Sequence, residues 1–288
     1  MKNNIKKRYS DTKNYISSLK NMPLLPDTVI RLRDALSKKF VNSKDVVEII
    51  SSNSVVAGEL IKKINSGKFI KKPNKEITSI KSLVDYVGVN NPILINMVTA
   101  IELKISFSSG NYEKDQVEEI IEYTTDTAYL CAELSDFIHD IKRSEAYLFG
   151  MFIECGYILL SARQKHYFKL FFKSKSNPVK SFKEEVEIGA DHACAGYILA
   201  CNWDLPSWIK TGILVHHDDF KNLKINKKII DMLYIYHVSN YLVGEISFGS
   251  YVSSDYRKTY KAFLEELSID ESNINSIRNS FIVDRNNI

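Results

Sequence analysis

A single carboxylate, Glu154, lies inside one of the most apolar stretches of the chain, Arg143 to Ala162, RSEAYLFGMFIECGYILLSA. A helix that is apolar almost all round from Ala146 to Leu160 must be buried on every side, and it is too short and too interrupted to cross a membrane. Burying a bare carboxylate costs roughly several kcal/mol, so Glu154 either finds a partner or stays protonated. The expected partner is a buried histidine, tyrosine or arginine. Imidazoles are the other groups with chemistry to offer. His192 follows Asp191 at the start of HACAGYILACNW, and His216 and His217 close WIKTGILVHH. Such positions serve either local hydrogen bonding at helix ends, where a basic side chain suits the C-terminal dipole, or contact with a ligand. His139, His166 and His237 fit no spacing that selects a chemistry. The aromatic run Tyr167, Phe168, Phe171 and Phe172, interleaved with Lys165, Lys169 and Lys173, could stack on bases. A helix with an apolar face and a lysine-rich solvated face explains that run better.

Helices must position all of these groups. The 288 residues suffice for one large domain or two small ones. With only 11 Gly and 6 Pro there are too few turns for a barrel or sandwich, and no period-2 run of any length occurs, so the fold class is all-α. Residues 1–21 read as an N-terminal polar helical segment. Pro23 and Pro26 hold an extended entry to a series of short helices: Thr28 to Leu36, one capped by Ser43, Val55 to Ile64, Thr78 to Val87, and one opened by Asn91-Pro92. The break FSSGNYE, Phe107 to Glu113, is the expected boundary between two lobes. Beyond it come a helix over Asp115 to Ile138, the central apolar helix opening at Ser144 as N-cap, and a basic aromatic connection from Phe168 to Pro178. The two histidine-bearing helices follow, then a long core helix, Lys227 to Phe248, and two weaker helices between Asp255 and Ile282.

The formal charge of +4 is mild and its lysines are spread among acidic residues, so nucleic acid is not indicated as a partner. The basic start lacks an apolar h-region, which argues against a signal peptide. Cys131, Cys155, Cys194 and Cys201 show no CxxC pairing and read as free buried thiols in a reducing cytoplasm.

Several short motifs, taken in order, resemble a known family. They are Pro23-Leu24-Leu25-Pro26, Ile64-Asn65-Ser66, Tyr86-Val87-Gly88, and Gly150-Met151-Phe152-Ile153-Glu154-Cys155-Gly156, where relatives more often read GLLHDIG. Asp191-His192-Ala193-Cys194-Ala195-Gly196, Trp203-Asp204-Leu205-Pro206 and His216-His217 complete the set. Their order and spacing resemble the HDOD domain, a bacterial regulatory module related to the HD phosphohydrolases. The resemblance covers residues 22–217, with lobe one at 22–107 and lobe two from about 115. Residues 218–288 are expected as a helical extension that completes an HD-like core.

An HD-type enzyme gathers neutral imidazoles and ionised carboxylates around one or two divalent metals, which lower the pKa of a bound water. The resemblance places Ile153 and Glu154 at the His-Asp pair, and an isoleucine ligates nothing. The earlier histidine falls near Tyr123, and the late aspartate falls at Asn240, a neutral amide. His192, His216 and Glu154 remain, with His217 beside them. The expectation is a degenerate pocket formed by Tyr123, Ile153, Glu154, His192, His216, His217 and Asn240, with no catalytic residue, metal or cofactor. The implied function is a non-enzymatic, cytoplasmic signal-transduction module. Its expected partner is a signalling protein, with a small nucleotide as the second candidate ligand and no membrane contact. The competing function is a metal-dependent phosphohydrolase acting on nucleotides or cyclic dinucleotides.

Overall fold

The computed structural model describes residues 2–17, 26–67, 72–89, 91, 94–95, 97–99, 101–102, 114–161, 164–249 and 252–286. The expected entry at Pro23 to Leu25 and the expected lobe boundary at Phe107 to Glu113 lie outside them. The described residues are helical with no strand. Side-chain caps account for many of the helix starts. Asn53 accepts from Val55 and Val56, Asp191 from Cys194, Asn226 from Lys228, and Ser253 from Tyr256, each relieving an orphaned N–H.

Helices α1 (Lys2–Ile16), α2 (Asp27–Ser37), α3 (Ser43–Ser51), α4 (Ser54–Asn65) and α5 (Ile80–Val87) open the chain. Helices α2 to α5 enclose one apolar core with Leu32, Ile50, Leu60 and Ile64 fully buried. Ala128, Ala132 and Tyr147 of the later chain close that core from one side. They belong to α6 (Lys114–Ser135) and α7 (Arg143–Phe152), which pack on one another and form a wall shared with a second, larger core. The second core is built from α8 (Cys155–Ser161), α9 (His166–Ser176), α10 (Pro178–Ile188), α11 (His192–Asn202), α12 (Ser207–Val215), α13 (Lys227–Phe248), α14 (Ser254–Leu267) and α15 (Glu271–Asn286). Helix α1, though first in sequence, packs against α11 of this second group.

Five local expectations need correcting. The helix expected to be capped by Ser43 begins at that residue, and its cap is Asn42, whose side chain accepts from the Lys44 N–H. The central apolar helix is two helices, α7 and α8, interrupted at Ile153 and Glu154. Its start lies at Arg143, and the residue in the cap position is Lys142, whose backbone N–H bonds the Glu145 carboxylate, so Ser144 is not the cap. The supposed connection over Phe168 to Pro178 is α9 followed directly by the start of α10. There Asn177 caps Lys180 and Pro178 occupies the first turn, where its missing N–H costs nothing. Of the four cysteines, Cys131, Cys155 and Cys194 are buried free thiols as expected, but Cys201 is exposed.

Two glycines let helices close on the second core at backbone distance. Gly156 of α8 faces the His192 carbonyl and the Gly196 amide of α11 so closely that a Cβ there would collide with both. Gly244 of α13 leaves room for the Lys175 carbonyl of α9, 2.9 Å from where its Cβ would stand. Gly156→Ala is therefore expected to lose about 2–3 kcal/mol of stability by forcing α8 off α11. Gly58→Ala, exposed in α4 with open space around it, should gain up to about 1 kcal/mol. Chemical denaturation of both variants reads the contrast.

Candidate functional site

The interruption between α7 and α8 leaves Glu154 in a turn, 3% exposed, with α9, α11 and α13 around it. Its first partner comes from α9. Lys175 continues the buried face set by Tyr167, Leu170, Phe171 and Ser174, and its exposure is 0%. The Lys175 Nζ donates to Glu154 Oε1 at 2.7 Å and reaches Asn240 Oδ1 at 3.4 Å. It lies 4.1 Å from the centroid of the Phe171 ring and 4.8 Å from that of Tyr123, so two aromatic faces share the work of solvating the ammonium. Tyr236 of α13 donates its hydroxyl to the same Glu154 Oε1. Burial alone would raise the Glu154 carboxyl. The Lys175 ammonium, followed by the His192 imidazolium, overcomes that and holds it ionised, below the usual carboxylate range.

The other carboxylate oxygen, Glu154 Oε2, has no hydrogen bond and faces His192 Nε2 at 3.3 Å. His192 is fixed from behind by Glu185 of α10, whose Oε2 accepts from both the His192 backbone N–H (2.8 Å) and Nδ1 (2.6 Å). Tyr157 donates its hydroxyl to Glu185 Oε1 and stacks on the His192 ring at 4.0 Å. Since a carboxylate only accepts, His192 Nδ1 carries hydrogen and Nε2 points into the cluster. His216 is held the same way, with Nδ1 donating to the Ile213 carbonyl at 2.7 Å. The two Nε2 atoms lie 2.9 Å apart, and His217 Nε2 lies 3.0 Å from that of His192. One proton on His192 Nε2 satisfies this arrangement, because a neutral His216 presents only a lone pair there. The electrostatics agree. Burial works against protonating His192, but Glu185 and then Glu154 outweigh it and raise its pKa. Burial and then the neighbouring His192 push His216 well below its ordinary value, while burial and then His216 and His192 do the same to His217. Burial lowers the Lys175 pKa, while Glu154 and then Glu185 oppose that and favour its ammonium form. Counted by charge, Lys175 and His192 then balance Glu154 and Glu185.

Six of the seven residues singled out in the sequence thus fall in one buried network. Tyr123 donates to the Asn240 carbonyl at 3.0 Å, and Asn240 Nδ2 donates to the Tyr256 hydroxyl at 2.9 Å. Ile153 is fully buried in the adjoining apolar core and adds no polar atom. The expected partners of Glu154 included histidine and tyrosine, both present. The strongest partner is a lysine, from a stretch expected to be solvated. Glu185 and Tyr157 were not singled out at all. A signal for Lys175 was available: it sits one turn beyond Phe171 on the apolar face of its own helix.

The HD-type enzymes that the sequence motifs resemble hold divalent metals among groups of this kind. Three imidazole Nε2 atoms lie within 4.8 Å of one another, as metal ligands do. With Lys175 in place the rest of the set does not fit. The ammonium of Lys175 holds Glu154 Oε1 and touches Asn240, Ile153 offers no donor, and Asn240 gives a neutral amide already engaged with Lys175 and Tyr256.

Helix α1 covers the outer side. Arg8, 5% exposed, binds Asp218 at 2.8 Å, lies 4.0 Å from Asp191 and stacks over Phe182, whose ring in turn stacks on His217 at 4.4 Å. Thr12 accepts from the Asp191 amide at 3.1 Å.

The buried neutral imidazoles make stability depend on pH in a stated direction. His216, His217 and His237 are held below the ordinary imidazole value of 6.5, His237 at about 4 through burial. Below about pH 6.5 the unfolded chain binds protons that the folded chain refuses, so stability must fall with pH across the window from 6.5 toward 4. His192 has the opposite sign. Its raised pKa gives a contribution already complete below 6.5 and lost only as pH rises through the folded value, so it does not offset the decline. Denaturant unfolding between about pH 7 and pH 4 should show losses of up to about 1.4 kcal/mol per pH unit per group, and His237→Gln should make the slope shallower.

Comparison with known proteins agrees with this architecture. The HDOD domain model matches residues 22–219. A Treponema pallidum (strain Nichols) protein, named only as uncharacterized, is 24% identical over 201 residues, which is 69% of this chain but 38% of that relative. The chain therefore spans well under half the length of the curated relative it matches. Among solved structures, an HDOD domain protein of unknown function from Geobacter sulfurreducens superposes with a TM-score of 0.69 at 17% identity, covering 96% of this chain and 98% of its own. A protein from Shewanella amazonensis SB2B, provisionally named a phosphohydrolase, gives 0.69 at 18% identity over 96% and 97%. One from Marinobacter aquaeolei VT8, provisionally named a signal transduction protein, gives 0.64 at 14% identity over 99% of this chain and 63% of its own. These likenesses show the shared helical fold, and the family match runs through both apolar cores and the whole His192–His217 segment: the chain belongs to the HDOD domain family.

Proposed function

We propose that the chain is a non-enzymatic regulatory module that works by binding a signalling protein. The observation that carries this reading is the ammonium of Lys175 seated on Glu154 Oε1 inside the pocket. A general acid–base or metal-assisted site keeps its working groups free to meet substrate. Here Glu154 Oε1, the amide of Asn240 and the Nδ1 atoms of His192 and His216 are all spent on internal partners. Arg8 and Phe182 lie over His217 on the outer side. A regulatory role agrees with the provisional name of the Marinobacter relative. No helix among the described residues is long and apolar enough to cross a membrane, consistent with action away from the bilayer core.

A second reading, a phosphohydrolase acting on nucleotides, draws support from the three converging imidazoles and from the provisional name of the Shewanella relative. It requires Glu154 to be released from Lys175 before the pocket could serve. Hydrolysis of bis-para-nitrophenyl phosphate and of a cyclic dinucleotide, with manganese, magnesium or iron(II) supplied, separates the two. The regulatory reading expects release at the level of a His192→Ala/His216→Ala control. Metal-dependent turnover that this control loses would overturn it.

A further inference from the structure

The pocket contains a nearly complete set of metal donors alongside a cation of its own. His192 Nδ1 is anchored on Glu185 and His216 Nδ1 on the Ile213 carbonyl, an outer layer that turns both Nε2 atoms inward. His217 Nε2 joins them, the three atoms lying within 4.8 Å of one another. Glu154 Oε2, buried and without a hydrogen bond, lies 3.3 Å from His192 Nε2. Three imidazoles and one carboxylate, with the His192 Nε2 proton released as a metal takes its place, are the donor set that suits zinc or cobalt(II), for which about four ligands suffice. On the far side of the same carboxylate stands the Lys175 ammonium, 2.7 Å from Oε1, fully buried and flanked by the rings of Phe171 and Tyr123.

We infer that Lys175 is a tethered counter-cation that closes a latent transition-metal site formed by Glu154, His192, His216 and His217. The physical argument is one of charge and place. An ammonium attached to the chain is present at very high effective concentration and already neutralises Glu154. A divalent ion entering beside it would meet a buried like charge in a medium of low dielectric constant, where such repulsion is poorly screened. The lysine stem also fixes Oε1, leaving the carboxylate unable to turn both oxygens toward the imidazoles. Removing only the charge, with a side chain of similar length, releases the carboxylate from its ion pair, leaves the Tyr236 hydroxyl as the remaining donor to Oε1, and keeps the imidazoles and their outer layer in place. Lys175→Met does this, and the two aromatic rings that flank the ammonium suit the thioether that replaces it.

The inference rests on the non-enzymatic reading, but the tests are distinct: the hydrolysis assay addresses that reading, and metal uptake addresses this one. Chelator-treated wild type and Lys175→Met are titrated with cobalt(II), following the visible absorption of the bound ion, and with zinc by calorimetry. The variant is expected to bind on the order of 100-fold more tightly than wild type, the discrimination that a nearby buried charge imposes. Lys175→Met/His216→Ala/His217→Ala should lose the signal. If Lys175→Met is unfolded without metal, cobalt(II) should restore its helical circular dichroism, since binding and folding are then linked. Wild type binding as tightly as the variant would overturn the inference, even with no hydrolysis detected. A folded variant that takes up no metal, or an unfolded one that cobalt does not rescue, would overturn it equally.

Discussion

The buried contact between Lys175 and Glu154 sets the terms for the second core. Two opposite charges removed from water lose several kcal/mol, roughly, of solvation each, and only close geometry with further hydrogen bonds recovers it. The surroundings supply both. Tyr236 donates to the same carboxylate oxygen, Asn240 offers its carbonyl oxygen to the ammonium, and Phe171 and Tyr123 present ring faces to it. Because Glu154 comes from the turn between α7 and α8, Lys175 from α9, and Tyr236 and Asn240 from α13, one ion pair ties four elements of the chain together. Loss of either charge alone would leave the other buried without compensation.

The histidine cluster is the second half of the same electrostatic unit. His192 can carry a proton at the centre of an apolar core because Glu185 stands behind it and Glu154 beside it. Burial first, and then its charge, keep His216 neutral, and burial first does the same for His217. With Lys175 the network carries two positive and two negative charges, which is the condition for burying four ionised groups near one another. The backbone makes this possible. Only a glycine at position 156 lets α8 approach α11 closely enough to bring His192 to the carboxylate at 3.3 Å, and only a glycine at position 244 lets α13 lie against the end of α9.

Much of this was legible in the residues. An isolated carboxylate in a helix without a polar face announces a buried partner, and the Asp191-His192 and His216-His217 pairs, which read first as helix-end residues, are the imidazoles that meet beside it. The helical class followed from the scarcity of Gly and Pro and the absence of alternation. Lys175 was hidden by its neighbours: Lys165, Lys169 and Lys173 make the stretch look uniformly solvated, and a period of 3.6 must be traced from Tyr167 to see that one lysine falls on the apolar side. Glu185 was hidden likewise, one of several charged residues in KSFKEEVEI, distinguished only by sharing a face with Ser181. The interruption at Ile153 and Glu154 has no local signature such as Pro, and α7 and α8 are apolar on both sides of it. There tertiary packing around the carboxylate, not propensity, decides where the helix stops.

The account makes its strongest claim about charge states at one place, and heteronuclear NMR reads them directly. Selective labelling of lysine Nζ and of glutamate carboxyl carbons would report Lys175 and Glu154 separately, identified with Lys175→Met and Glu154→Gln. An ionised Glu154 carboxylate at neutral pH, still ionised well below the ordinary carboxylate range and coupled to a slowly exchanging Lys175 ammonium, is the predicted result. A protonated Glu154 beside a neutral Lys175 amine at neutral pH would contradict it. The second core would then be held by apolar packing and neutral hydrogen bonds, and the charge balance argued for the whole pocket would fail.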